Sequence, residues 1–208
     1  MPILNSQVGA PGAAAPSGFP ALRSGTLNDL IVSELHGRYY EATKQQAMFS
    51  GSITGVTTTV GLNTTYTGLC LSNPVGSGKN LILNKAGFAF TVVFPAVAAI
   101  GLMTGYNSST NVTHTTPVTP RSQLFGLGAT GVGLLDTSAT LPTAPTLNLI
   151  IGAGLTGATT TVPYIPGVID LEGSIILTPG AYCAFYTSAV SGTAGASFSF
   201  QWEECSAV

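Results

Sequence analysis

Wherever hydrophobic and polar positions along this chain follow a period, the period is two. The closing segment is the cleanest case, with Phe198, Phe200 and Trp202 alternating with Ser197, Ser199, Gln201 and Glu203, which predicts a strand with one face in a core and one in water. Upstream, Phe88, Phe90, Val92 and Phe94 share one face of a long predicted strand, and the small residues Ala89 and Thr91 lie opposite. Tyr66–Ser72 predicts another strand, followed by the turn-rich Asn73-Pro74-Val75-Gly76-Ser77-Gly78. Ile175–Leu177 leads through Pro179-Gly180 into Ala181–Thr187, a predicted hairpin in which Pro presets one turn residue and Gly accepts positive φ. From Met48 onward no window of helical period is long enough to compete, so residues 48–208 are expected to form an all-β body.

The chain before Met48 reads differently. Residues 1–22 carry no charged side chain and are mostly Ala, Gly and Pro, a composition that cannot bury enough surface to fold alone. An extended N-terminal arm is expected, ordered only by contact with another chain. Ile3, Leu4, Val8, Phe19 and Leu22 are its candidate apolar anchors, and Arg23 its candidate exit point from the body. Charge then appears abruptly: Arg23, Asp29, Glu34, Arg38, Glu41 and Lys44 are six of the fourteen charged residues. This stretch, 23–47, reads as a junction. Leu30–Glu34 and Arg38–Ala42 flank His36-Gly37, which predicts a hairpin in preference to a short helix over Leu27–Leu35. Within the body, Asn107–Pro120 and Thr137–Pro145 read as long polar loops. Such loops are uncommon in compact domains and often bind ligands, the plain alternative being a solvated crossover.

Composition sharpens the picture. Charged residues make up 7% of the 208, against roughly 25% in an average soluble domain, while hydrophobic residues are an ordinary 45%. With 28 Thr, 18 Ser and 26 Gly, the polar surface must be built from hydroxyls and backbone, which suits strands and turns better than helices. A net charge of -2 with only six Lys and Arg excludes the basic footprint that nucleic-acid affinity requires. Ala86–Pro120 has no charged residue, but its most apolar part, Phe88–Met103, is broken by Pro95 and Gly101 and is shorter than the roughly 20 residues of a spanning helix. Two buried strands are expected there, with no membrane span. Met1–Pro20 lacks a basic start and contains four prolines, so it does not read as a signal peptide. The N-x-[ST] triplets at Asn63, Asn107 and Asn111 then read as chance in a Thr-rich chain.

Candidate chemistry is sparse. Gly76-Ser77-Gly78-Lys79 resembles a phosphate loop only superficially, because Asn73 stands where the first glycine is needed and Asn80 where the hydroxyl is needed. The imidazoles are His36 and His114, and no nucleophile motif accompanies either. Asp170 and Glu172, two apart, share a strand face and could bind a cation, with an exposed edge as the plain reading. Glu203 and Glu204 point to opposite faces. Cys70 and Cys183 lie in apolar strands and are expected to be core residues; with Cys205 they make an odd count lacking CxxC spacing, so neither a disulfide framework nor zinc is expected. No catalytic residue, metal ligand or cofactor is assigned.

One resemblance spans most of the chain from about Arg23. It rests on His36-Gly37-Arg38-Tyr39-Tyr40-Glu41-Ala42, Thr65-Tyr66-Thr67-Gly68-Leu69, Leu71-Ser72-Asn73-Pro74, Gly101-Leu102-Met103-Thr104-Gly105, Val168-Ile169-Asp170-Leu171-Glu172-Gly173 and Phe200-Gln201-Trp202-Glu203-Glu204. Together these resemble uncharacterised virion-associated proteins of tailed bacteriophages, and Leu177–Tyr182 is similar to hairpins of viral jelly rolls. The resemblance implies a non-enzymatic structural role on the capsid surface, as a decoration or cement protein made in the host bacterial cytoplasm. It implies as partners the major capsid protein or other virion proteins, and no site residue. A jelly-roll-like β-sandwich of about eight strands suits an all-β chain of this length, and symmetric packing of identical copies would cover its edges. A homotrimer is expected by analogy with viral jelly rolls. The competing reading is a fibre or receptor-binding module contacting host glycans through the polar loops, where Tyr106 alone borders Asn107–Pro120.

Overall fold

The computed structural model describes residues 37–126, 128–154, 156 and 167–207. The proposed arm with its anchors Ile3, Leu4, Val8, Phe19 and Leu22, together with Arg23, Leu30–Glu34 and His36, lies outside the described residues. The elements are α1 (Tyr40–Lys44), β1 (Met48–Val56), β2 (Thr65–Ser72), β3 (Lys79–Phe90), β4 (Ala98–Tyr106), β5 (Thr113–His114), β6 (Pro117–Val118), β7 (Arg121–Ser122), β8 (Leu134–Thr140), β9 (Thr146–Gly154), β10 (Val168–Leu177), β11 (Ala181–Thr187) and β12 (Ala196–Ser206). They form an all-β sandwich of two antiparallel sheets. One sheet runs β10-β3-β12-β1-β7; the other runs β5-β8-β2-β11-β4-β9, with β6 also on β8.

Eight strands carry the architecture. In chain order they pair first with last and then inward: β1 with β12, β2 with β11, β3 with β10 and β4 with β9, all antiparallel. On each side of the β4–β9 tip, successive strands alternate between the sheets. The chain is thus one long antiparallel ribbon rolled on itself, a jelly roll. The segment carrying β5 to β8 is inserted at the tip of that ribbon, and β8 extends the second sheet beside β2.

Strand alternation places the core. β12 buries every second residue from Ala196 to Glu204. Phe198 and Phe200 meet Phe185 of the opposite sheet, with ring centroids 4.3 and 4.8 Å apart, and Phe49 stacks on Trp202 at 6.1 Å. Leu69, Leu71, Cys183 and Phe185 face this inter-sheet core. Their strand neighbours of opposite parity, Cys70, Tyr182 and Ala184, join Tyr66, Met103, Val112, Ala139 and Leu141 in a second buried cluster on the outer face of the same sheet.

That second cluster explains two corrections. Asn107–Pro120 is not a free loop: it crosses the outer face, seats Val112 at 6% exposure and pairs with β8 through β5 and β6. Thr137–Pro145 is a loop only in its second half: β8 continues to Thr140 and buries Ala139 beneath the crossing segment, and residues 141–145 connect it to β9. Polar composition misleads here because Thr and Ser suit a pleated surface as well as a turn. The long Phe88 strand also ends early, at Phe90; residues beyond it bend, and Phe94 returns to within 4.8 Å of the Phe90 ring without strand pairing.

The junction needs correction too. Tyr40–Lys44 is a single helical turn, so Arg38–Ala42 is not the second strand of a hairpin. Glu41 in its first turn and Lys44 in its last both complement the helix dipole, and Gln45 N–H donates to Glu41 O at 2.9 Å. The predicted turn at Pro179-Gly180 is present, with Gly180 at φ 91° and Ala181 N–H donating to Thr178 O at 2.9 Å.

Candidate functional site

The outer face of the second sheet holds a titratable pair. His114 leaves β5 and directs Nδ1–H to Oδ2 of Asp136 on the adjacent strand β8. The His114 side chain is 27% exposed and that of Asp136 1%. Oδ1 of Asp136 is buried and has no hydrogen-bond partner among the described residues. Across β8, Cys70 stands opposite Asp136 in the register. Burial pushes the Asp136 carboxyl above the ordinary carboxylate range, and the hydrogen bond and charge of His114 only partly oppose this. Burial also pushes the Cys70 thiol well up, and the Cys183 thiol up to about 12, so both are inert packing groups at neutral pH, as expected of core cysteines.

Beside the pair is a cavity of about 160 Å³ lined by Ser72, Asn73, Asn111, Val112, His114 and Gly180, among others. Its walls are tied down. The Asn73 side chain donates to Lys79 O and Leu177 O at 2.7 and 2.8 Å and accepts from Ser77 Oγ at 2.6 Å. Asn111 Oδ1 accepts Val75 N–H at 2.7 Å, fastening the crossing segment to the 73–78 turn. Gly76 and Gly78 have φ of 77° and 67° there, so Gly76-Ser77-Gly78-Lys79 is a turn between strands. Ser72 Oγ donates to Leu134 O at 3.4 Å and makes no bond to His114, and the Gly180 and Ala181 amides are taken by Asn73 O and Thr178 O. Ser72, His114 and the Gly180 and Ala181 amides therefore do not form the nucleophile–base pair and free amides of an acyl-transfer site. What the arrangement does do is clasp the crossing segment onto the sheet.

A second clasp holds the other end of the insertion. Glu204 sits on the core side of β12; Oε2 accepts Val132 N–H at 2.9 Å, and Oε1 accepts Gly133 N–H at 2.9 Å and Trp202 Nε1–H at 3.1 Å. Its side was legible, since it continues the parity of Phe198, Phe200 and Trp202. Its partners were not.

The remaining candidates separate. Asp170 is exposed and pairs with Lys85 at 3.0 Å. Glu172 is exposed at a bulge, with φ 52° and Gly173 at 80°, where the β10–β3 register shifts. Among the described residues no group of three His, Cys, Asp or Glu could hold a metal ion, and no helix is long and apolar enough to cross a membrane. Two of the three triplet asparagines act as local caps, Asn63 Oδ1 accepting Thr65 N–H at 3.0 Å and Asn107 Oδ1 accepting Ser109 and Thr110 N–H at 3.0 and 2.8 Å.

The edges of the sandwich are its other feature. Among the described residues β9 pairs with β4 on one side alone, and its Leu147, Leu149 and Ile150 are exposed. No charged side chain occurs between Asp136 and Asp170. Comparison with protein-family models, with curated proteins and with solved structures yields no match.

Proposed function

We propose that this chain is a structural protein of a tailed-bacteriophage virion, a homo-oligomeric decoration or cement protein of the capsid shell, trimeric by analogy with viral jelly rolls. The observation that carries the reading is the uncharged, apolar β9 edge. Long exposed edges are normally blunted by Lys, Pro or inward charges. β9 has none of these along Thr146–Gly154, and Ile150 is 53% exposed. Such an edge favours a partner, and identical copies meeting along this uncharged edge bring no like charges together. The resemblance of residues such as Val168–Gly173 and Phe200–Glu204 to virion-associated proteins supplies the particle. The two clasps, which hold the β5–β8 insertion by packing and hydrogen bonding, suit a structural role and no catalytic one. Six Lys and Arg leave the capsid protein, not the genome, as the partner.

Two variants test this. Ile150→Lys places a charge on the edge at a residue outside the buried core, and deletion of residues 1–21 removes the proposed arm. Each is expected to fold, to lower the mass of the assembly in solution, and to reduce the copies retained per particle. Full-length assembly and full particle occupancy by both variants would overturn the proposal.

A further inference from the structure

Where β10 of one sheet faces β4 and β9 of the other, an open groove of about 510 Å³ is lined by Thr104, Tyr106, Thr146, Asn148, Ser174 and Thr178, among others. Its volume falls within the roughly 300–1,000 Å³ typical of small-ligand sites. None of its lining residues is charged. Tyr106 is 57% exposed yet fixed through its backbone: it pairs with Ala181 in the β4–β11 ladder, and its carbonyl accepts Thr143 Oγ1–H at 3.4 Å. Asn148 Nδ2–H donates to Thr104 Oγ1 at 3.4 Å, and Thr146 Oγ1–H donates to Thr104 O at 3.3 Å. These bonds hold the polar wall on strands, already organised before any ligand arrives. The hydroxyls of Tyr106, Ser174 and Thr178 and Oδ1 of Asn148 have no hydrogen-bond partner among the described residues.

We propose that this groove is a binding site for a neutral oligosaccharide, with the Tyr106 ring as the stacking platform for one sugar face and Asn148, Ser174 and Thr178 as its hydrogen-bonding wall. The chemistry selects the class. A carboxylated, sulfated or phosphorylated ligand would find no cation in the lining. An apolar peptide would cover hydroxyls and an amide without satisfying them, which costs free energy at each group. A sugar ring supplies what fits: hydroxyls that both donate and accept, and a C–H face that packs on an aromatic ring. The inference is independent of the virion reading, since the groove requires no neighbouring chain.

The test uses the full chain and hexasaccharides of glucose, mannose, galactose and N-acetylglucosamine, with polygalacturonate as the charged control, followed by amide NMR shifts. At least one neutral hexasaccharide is expected to shift resonances of Thr104–Tyr106, Thr146–Asn148 and Ser174–Thr178. Tyr106→Ala is expected to weaken that binding about tenfold, ~1.4 kcal/mol, and Tyr106→Phe to retain most of it, since stacking needs the ring. Thermal unfolding of each variant separates lost binding from lost fold. No shift with any of the four neutral hexasaccharides would overturn the proposal. So would shifts with polygalacturonate alone, or neutral binding that Tyr106→Ala leaves unchanged.

Discussion

Removing the His114 imidazole isolates what the clasp on the outer face contributes. Asp136 is 1% exposed, and one of its oxygens already lacks a partner among the described residues. In His114→Ala the second oxygen loses its donor as well, leaving a buried carboxylate without compensation. Leaving a buried acceptor without its donor costs about 1–3 kcal/mol, and more for a charged group, so about 3 kcal/mol is expected at neutral pH. For a domain of this size that lowers Tm by about 6–12 °C. Asp136→Asn keeps an oxygen that accepts from His114 while removing the buried charge, and should cost about 1 kcal/mol. The pH dependence has a definite sign. Because burial raises the folded-state pKa of Asp136, stability from the neutral carboxyl is fully present below the unfolded-state pKa and is lost as pH rises through the folded one. Removing His114 removes the two influences that lower that pKa, so the deficit of His114→Ala should be largest near pH 7.5 and shrink towards pH 4.5. Urea denaturation of wild type, both single variants and the double variant at the two pH values measures this. A deficit under about 1 kcal/mol at pH 7.5, a deficit that does not change with pH, or equal costs for the two single variants would refute the reasoning.

Three further outcomes are expected. Glu204→Ala strips acceptors from two backbone amides and the Trp202 indole, and should cost about 3 kcal/mol, with a change in Trp202 fluorescence in the folded state; Glu204→Gln, which keeps one acceptor oxygen, should cost less. Phe185→Ala removes the ring stacked against Phe198 and Phe200 and should cost about 3–5 kcal/mol in urea unfolding. Of the three free cysteines, Cys70 and Cys183 are buried and Cys205 is half-buried; a thiol reagent at pH 8 should therefore titrate Cys205 alone in the folded protein and all three in denaturant.

The sheets were legible because burial writes itself as a period of two, and β12 states it without interruption from Phe198 to Trp202. The turns at 73–78 and 179–180 were legible because positive φ calls for glycine, and Gly76, Gly78 and Gly180 sit at those positions. The crossing segment was not. Thr137–Thr140 of β8 offers only Thr, Ser and Ala and carries no strong periodicity, so it and the segment carrying β5 and β6 read as loop. His114 and Asp136 are 22 residues apart and meet only because two strands pair; nothing in their local sequence announces it. Tyr40–Lys44 failed for a different reason. Its five residues are too few to display a helical period, and the His36-Gly37 turn signal pulled the reading towards a hairpin.

The central claim is that this jelly roll is a structural component of a virion, and it is tested most directly by cryo-electron microscopy of purified phage particles whose genome encodes the chain. The account predicts jelly-roll density on the outside of the shell, in symmetric clusters, with β9 at a contact between copies or against the capsid protein. Particles in which the chain is absent, or in which it occurs as isolated single copies with β9 facing solvent, would contradict it.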